Sequence, residues 1–391
     1  MQRSALTWCV LLFACNAELV NSQDHDDDPD IGSTTASIIK DVTCGPPPDG
    51  TVISMNSINA ALATEGSLVR FSAGICVVDQ RFRVRANNIT IEGAGPNVTI
   101  IRATPPSTQT ELFHIDNLGV MQNNEYVPIQ NTTLRDLAID TLDNPSAAIT
   151  AVYVHDARNF TMERVNIGPW AVADTGLKTT GIEIVGRDLG LVRKVRVEAG
   201  LPLRIGVNYH DAGAGTYRDD LKDLDQHHFE DLTLTSIVQG QPVIVVQAGA
   251  VLRNITFDGY QSWNRGGLVW ADSDSTPARR HSNHLRFANV RVDNLCSGSG
   301  SCGLYAIDIT KNTNSPPMTD EGPAQLDDLL VENSLTAARL LNGSAPVWNG
   351  IRTARTTGAP QPPVERTVLR QVVYEGSGTG VSVDGPLTTI P

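Results

Sequence analysis

The chain has 391 residues, of which 40% are apolar but only 5% aromatic, so it can bury a sizeable core and that core is aliphatic. Charged residues at 19%, with 33 Gly and 22 Pro, point to many turns and exclude coiled coils and helical solenoids. A formal charge of −13 excludes a sequence-blind nucleic-acid surface, which needs Lys and Arg to neutralise phosphates.

Residues 1–22 read as an export signal, with Arg3 as the basic start and Leu6 to Ala14 as an apolar run too short to span a bilayer. A second reading of the same segment takes Leu12-Phe13-Ala14-Cys15 as an imperfect lipobox, with Phe13 as the departure and Cys15 as the lipid anchor. No later segment is long and apolar enough for a membrane-spanning helix. Residues 23–38 hold the run Asp24-His25-Asp26-Asp27-Asp28-Pro29-Asp30, whose like charges repel one another and predict a disordered linker. Once Cys9 and Cys15 leave with the signal, four cysteines remain. In an exported chain the natural pairs are Cys44 with Cys76, and Cys296 with Cys302. Neither pair has a His at metal-ligand spacing. Asn88, Asn97, Asn131, Asn159, Asn254 and Asn342 stand in Asn-x-Ser/Thr sequons. They would be glycan sites in a eukaryotic host, and in a bacterium they are positions where a repeat places Asn.

The segment Ser54 to Thr64 predicts a short helix with apolar Met55, Ile58, Ala61 and Leu62 and a Ser cap. Downstream, the pattern apolar-x-x-apolar-x-apolar recurs nine times. The copies are Ala86/Ile89/Ile91, Leu134/Leu137/Ile139, Met162/Val165/Ile167, Val192/Val195/Val197, Phe229/Leu232/Leu234, Leu252/Ile255/Phe257, Phe287/Val290/Val292, Leu326/Leu329/Val331 and Leu369/Val372/Tyr374. From Leu134 to Leu369 the step averages about 34 residues. Between copies lie second β runs, among them Thr150 to Val154, Gly181 to Val185, Gly206 to Tyr209, Gly267 to Trp270 and Ala338 to Leu341. Two or three short strands per turn, stacked in register, make an all-β fold. We read residues 39–391 as a single right-handed parallel β-helix solenoid with a short N-terminal capping helix. A β-sandwich would instead join adjacent strands by Asn-Gly or Asp-Gly hairpins, and the pattern copies are not so joined.

The order Asp49-Gly50, a helix with Ile58-Asn59-Ala60-Ala61-Leu62, then Ser67-Leu68-Val69-Arg70-Phe71-Ser72-Ala73-Gly74-Ile75-Cys76 and Ile89-Thr90-Ile91-Glu92-Gly93-Ala94-Gly95 resembles the N-terminal region of the pectate-lyase-like superfamily. The resemblance implies an exported, carbohydrate-active β-helix. Ser72 replaces that superfamily's corner proline, and Cys76 stands near its usual tyrosine. The catalytic strings of polygalacturonases, mannuronan epimerases and classical pectate lyases are missing, so the resemblance specifies architecture and not chemistry.

Uneven steps locate a candidate site, because coil size is set by geometry and surplus residues must leave as loops. The surplus falls at His210 to Gln226, Ala271 to Asn283, Lys311 to Gln325 and Asn342 to Arg366, which should wall a groove in the C-terminal half. Hydrolysis of a glycosidic bond takes two carboxyl groups. Asp272 and Asp274 could supply them, joined by Asp211 or Asp308. A lyase needs a base and a cation or Ca²⁺ to neutralise a uronate; Lys222, Arg279, Arg280, His281 and Lys311 are candidates, with His210 a further catalytic candidate on the first loop. Trp270, Trp348 and Tyr217 could bind sugar rings. The expected function is a lyase, glycoside hydrolase or epimerase acting on an acidic or decorated polysaccharide. The alternative is a non-catalytic, adhesin-type surface protein that binds glycans. No cofactor is implied beyond Ca²⁺, and the oligomeric state, monomer or trimer, is open.

Overall fold

The apolar-x-x-apolar-x-apolar copies that begin at Leu134, Met162, Val192 and Phe229 are corners of successive coils. Leu134, Leu137 and Ile139 are all fully buried, as are Met162, Val165 and Ile167 in the next coil. Between the first two apolar residues, Asp136, Arg164, Lys194 and Asp231 take φ of 58°, 52°, 54° and 54°. One left-handed residue between extended runs turns the chain, so residues on both arms of the corner face the same interior. That conformation costs a side-chain-bearing residue roughly 1–2 kcal/mol. Arg164 Nε and Nη2 offset it by donating to Asp136 Oδ1 and Oδ2 at 2.6 and 2.9 Å.

The protein is seen here as a computed structural model that describes residues 37–104, 111–116, 121–122, 125–141, 150–155, 157–170, 179–185, 190–206, 227–236 and 243–246, and beyond these the backbone of the strands from Ala250 to Ile390. Residues 1–36, with the expected signal and most of the linker, lie outside the described residues. Residues Ala36–Pro391 form one unit. Its strands stack in parallel on three faces, and the chain is a parallel β-helix. The first two faces share the long strands Thr133–Thr141, Thr161–Trp170, Leu191–Ala199, His227–Ser236 and Ala250–Gly259, which bend at the left-handed corner. The third face is a ten-stranded parallel sheet running from Phe82–Val84 to Val381–Ser382.

Register corrects four sequence readings. Ile91 pairs with Leu134, so it opens its coil, and Ala86/Ile89/Ile91 is not a copy in phase; that coil turns through Gly93 to Val98 before its second-face strand Thr99–Ala103. Val331 pairs with Phe287 and Thr336 with Val292, so Leu326/Leu329/Val331 is likewise out of phase; the apolar run Leu329-Leu330-Val331 fits the pattern in more than one frame. The third-face strand expected at Gly206 to Tyr209 is Leu201–Gly206, hidden because Pro202 argues against a strand that is paired on both sides. The strand expected at Ala338 to Leu341 is Asn349–Ala354, which splits the supposed Asn342 to Arg366 loop.

The outer surface carries ladders of its own. Along the first face Arg70, Glu92, Arg135, Glu163, Arg193, Glu230 and Arg253 occupy one register row with alternating sign. Glu92 lies 2.8 Å from Arg70 and 2.6 Å from Arg135, and Glu163 lies 3.0 Å from Arg193. Burial pushes the Glu92 carboxyl up, but its two arginine partners outweigh it and hold it below the ordinary value. The sequon residues Asn88, Asn131 and Asn159 form a second ladder at left-handed corners. Asn131 Nδ2 donates to Asn88 Oδ1 at 2.8 Å, and Asn159 Nδ2 donates to Asn131 Oδ1 at 3.0 Å.

At the N-terminal end, helix Met55–Leu62 takes the place of the first coil's third-face strand. It buries Met55, Ile58, Ala61 and Leu62 as the spacing predicts; Ser54 holds the N-cap position, but its side chain makes no cap hydrogen bond. Cys44 and Cys76 are disulfide-bonded. Ser72 explains the loss of the superfamily's proline, since its N–H donates to the Val42 carbonyl at 2.9 Å, a bond proline cannot make. Gly74 is required at the same corner: at φ 118°, a Cβ there would meet the Gly45 carbonyl oxygen at 2.3 Å.

His227, one of two adjacent histidines without an obvious role in the sequence, is a core residue whose Nδ1 accepts the Gly190 N–H at 3.3 Å. Burial, aided by the charge of His228, pushes it down to about 4. Protonation therefore favours the unfolded chain. Its contribution to stability should be level above pH 6.5, fall as pH drops from 6.5 through 4, and lose about 3 kcal/mol in total. Denaturant titrations across that range should show the loss, and His227→Gln should flatten it.

Candidate functional site

The first face neutralises itself, but the third does not. In the described coils its inward positions are apolar: Phe82 and Val84, Phe113 and Ile115, Val152 and Val154, Ile182 and Ile184, Leu203 and Ile205. Its outward row is Arg83, His114, Tyr153, Glu183 and Arg204, each opposite the next in register. Two more side chains join at the C-terminal ends of the strands: Asp116, just after Glu111–Ile115, and His155, the last residue of Thr150–His155. Strand alternation alone would leave such positions in solvent, yet Asp116 and His155 are each only 2% exposed.

The groups form one connected array. His114 Nδ1 lies 3.4 Å from Glu111 Oε2, and His114 Nε2 lies 3.5 Å from Asp116 Oδ2. His155 Nδ1 lies 3.4 Å from the same Asp116 oxygen. These contacts are at the long end of hydrogen bonding, and Asp116 Oδ2 and His114 Nδ1 are buried with no shorter partner among the described residues. The rings of Tyr153 and His155 stack at 5.8 Å, and the His114 ring lies 5.3 Å from that of Tyr153. Arg81 Nη1 reaches Glu111 Oε2, and Arg204 Nη1 reaches Glu183 Oε1, both at 3.0 Å.

Two carboxyls on this face are driven in opposite directions. Burial pushes the Glu183 carboxyl up, and the Arg204 charge only partly offsets it; Glu111 adds to the rise. Asp116 is also pushed up by burial, but bonding to His114 and His155 outweighs that and holds it below its ordinary value. His114 is held above 6.5, since Asp116 and Glu111 overcome the effect of its burial. Tyr153 is raised by burial and by nearby carboxylates, so it remains a protonated phenol. Environments that push two carboxyls apart make one a proton donor and the other a fixed anion. Among the described residues, no three His, Cys, Asp or Glu side chains are arranged to hold a metal ion.

None of these site residues was singled out from the sequence. The usable signal was the outward positions of the second β runs, where Tyr153, His155 and Glu183 replace the small polar residues a solvated face needs. Of the residues that were singled out, His210, Asp211, Tyr217, Lys222, Asp272, Asp274, Arg279, Arg280, Lys311 and Trp348, and the pair Cys296 and Cys302, lie outside the described residues. Trp270 and Asp308 lie on third-face strands, in register with Val246 and Ile309, and with Val269 and Arg352, respectively. His281 opens a two-residue strand paired with Gln325–Leu326. In chain order, segments 207–226, 271–280 and 311–324 continue from the C-terminal ends of third-face strands, the edge at which Asp116 and His155 lie.

No family model matches the chain, and no curated protein matches it in sequence. Solved structures similar to it include the catalytic domain of a GH87 alpha-1,3-glucanase, at 12% identity over 87% of this chain with a TM-score of 0.46. The chain spans 65% of that domain's length. The A-module of a mannuronan C-5 epimerase from Azotobacter vinelandii is 12% identical, covering 86% of this chain and 93% of its own, with a TM-score of 0.35. The surface protein and adhesin PfbA of Streptococcus pneumoniae is 10% identical, covering 83% of this chain and 91% of its own, with a TM-score of 0.38. The chain's own strand register makes it a parallel β-helix, the architecture that its resemblance to the pectate-lyase-like superfamily implies.

Proposed function

We propose that the protein is an exported polysaccharide-active enzyme that works by general acid–base chemistry on the outer third face. The observation that carries this reading is the cluster on that face: His114 and His155 within 3.5 Å of Asp116 Oδ2, Tyr153 beside both rings, and Glu183 next in register. Glu183 is the proton donor to a leaving glycosidic oxygen. Asp116 is the fixed anion that orients His155, whose Nδ1 lies 3.4 Å from Asp116 Oδ2, and the buried pair holds the neighbouring His114 and Tyr153 in place. His114, which Asp116 and Glu111 hold above its ordinary value, favours negative charge nearby when protonated. Export fits the disulfide between Cys44 and Cys76. Among the described residues no helix is long and apolar enough to cross a membrane. The residues Asp272, Asp274, Arg280 and His281, with His210, Asp211 and Lys311, form a second candidate set on this reading, on segments that join the same face.

Glycan binding without turnover is the second reading, favoured by the half-buried Tyr153 ring, which offers a stacking surface. A panel of pectin, alginate, ulvan, glycosaminoglycan and neutral glucan substrates decides between them, assayed for unsaturated products and for new reducing ends. Reducing ends alone identify a hydrolase and unsaturated ends a lyase. Binding with silence in both channels replaces the enzyme reading with the second.

A further inference from the structure

Beside the capping helix lies a pocket of about 360 Å³, lined by Asn56, Asn59, Gln80, Arg81, Arg83 and Arg85. The volume falls within the range of ligand sites. Phe82 and Val84 point into the core, so the three arginines between and beside them project from the same side of the chain. Arg81 is engaged by Glu111. Among the described residues Arg83 and Arg85 form no ion pair, and the Arg83 guanidinium is held below its ordinary value by burial and then by repulsion from Arg81 and Arg85, with no carboxylate to relieve it. Two like charges left uncompensated on one side of so short a stretch are costly to hold unless something anionic joins them. The pocket is also built to stay in shape: Asn59 Nδ2 donates to the Arg81 carbonyl at 3.1 Å, and Asn59 Oδ1 accepts the Arg83 N–H at 2.9 Å, pinning helix to strand. On a chain of net charge −13, such a cationic recess stands against the general field.

We propose that this pocket is a second binding site, adjoining the Glu183 and Asp116 array at its N-terminal end, that holds the oxyanion group of an acidic saccharide, a uronate carboxylate or a sulfate ester, on Arg83 and Arg85. The saccharide part rests on the proposed function; the oxyanion part does not. Guanidinium forks match either anion with paired N–H donors, and Asn56 and Gln80 offer amides to neighbouring hydroxyls. Arg83 is in register with His114, so a chain anchored here can continue onto the catalytic row.

The test is calorimetric titration of the full chain at low salt with three probes: a trigalacturonate, a sulfated disaccharide and neutral maltotriose. One or both anionic probes should bind, maltotriose should not, and Arg83→Gln with Arg85→Gln should weaken binding about a hundredfold while thermal unfolding stays unchanged. The anion that binds identifies the source. Equal affinity for maltotriose, no binding of either anion, or affinity unchanged in the double variant overturns the site. The two proposals fail separately. Arginine-dependent binding by a protein with no turnover of any polymer leaves this site standing and removes the enzyme, whereas turnover insensitive to the double variant does the reverse.

Discussion

On the polymer that the substrate panel identifies, Glu183→Gln lowers kcat by about 10²- to 10⁴-fold, the range general acid catalysis supplies. Glutamine keeps the shape and still accepts from Arg204, so the change removes the proton and little else. The pH profile tells donor from scaffold. Because burial raises Glu183, the wild-type enzyme holds its proton above the ordinary value of 4.5, and activity falls as pH rises through the raised value. That alkaline limb disappears in Glu183→Gln, and Glu183→Asp keeps it with a lower plateau. Substrate affinity changes less than kcat, since a proton donor acts in the transition state. If Glu183→Gln keeps half or more of the activity while Asp272→Asn or Arg280→Gln abolishes it, the chemistry belongs to the segments after the C-terminal third-face strands and not to this array.

The fold could be read from the sequence because its determinants repeat. A corner that buries Leu134, Leu137 and Ile139 must recur wherever a coil turns in the same way, and Met162, Val165 and Ile167 repeat it with identical spacing. Reading failed where a coil departs from that corner, as at Gly93 to Val98, or where Pro202 sits inside a paired strand. From Arg135 to Arg253 the charge row was present in the sequence as the first x of five pattern copies. It becomes visible only in register, because Arg135 and Glu163 are 28 residues apart in the chain and neighbours in the sheet. The site was hidden for a related reason. Loop length can be counted along a chain, but a row of facing side chains is read across it: His114, Tyr153 and Glu183 are separated by 39 and 30 residues, spacings set by unequal loops. What marks them is chemistry in place of alternation, an aromatic and a carboxylate at outward positions that stay half-buried.

Phe113→Ala should destabilise the N-terminal coils by about 3–5 kcal/mol, the range for truncating a fully buried aromatic. Phe113 is completely buried and stacks on Phe82 with ring centroids 4.4 Å apart and planes 4° from parallel; Phe82 in turn meets Phe71 edge-on at 5.9 Å. These three rings join successive coils where the helix-capped end meets the aliphatic ladder, which has no spare side chain to fill a ring-sized void. Phe113→Leu keeps most of the volume and should cost well under half as much. In a solenoid each coil touches only its neighbours, so the loss belongs to the coils around Phe113 and need not reach the C-terminal strands. Hydrogen exchange measures this directly: amides of Val84, Ile115 and Val154 should exchange faster in Phe113→Ala, with those of Leu234 unchanged. Uniform acceleration to Leu234 would mean that the coils open as one unit. His114 and Asp116 flank the same strand, so Phe113→Ala should also reduce kcat as temperature rises and recover it on cooling. Glu183→Gln remains inactive at every temperature, which separates a loosened array from one that has lost its proton donor.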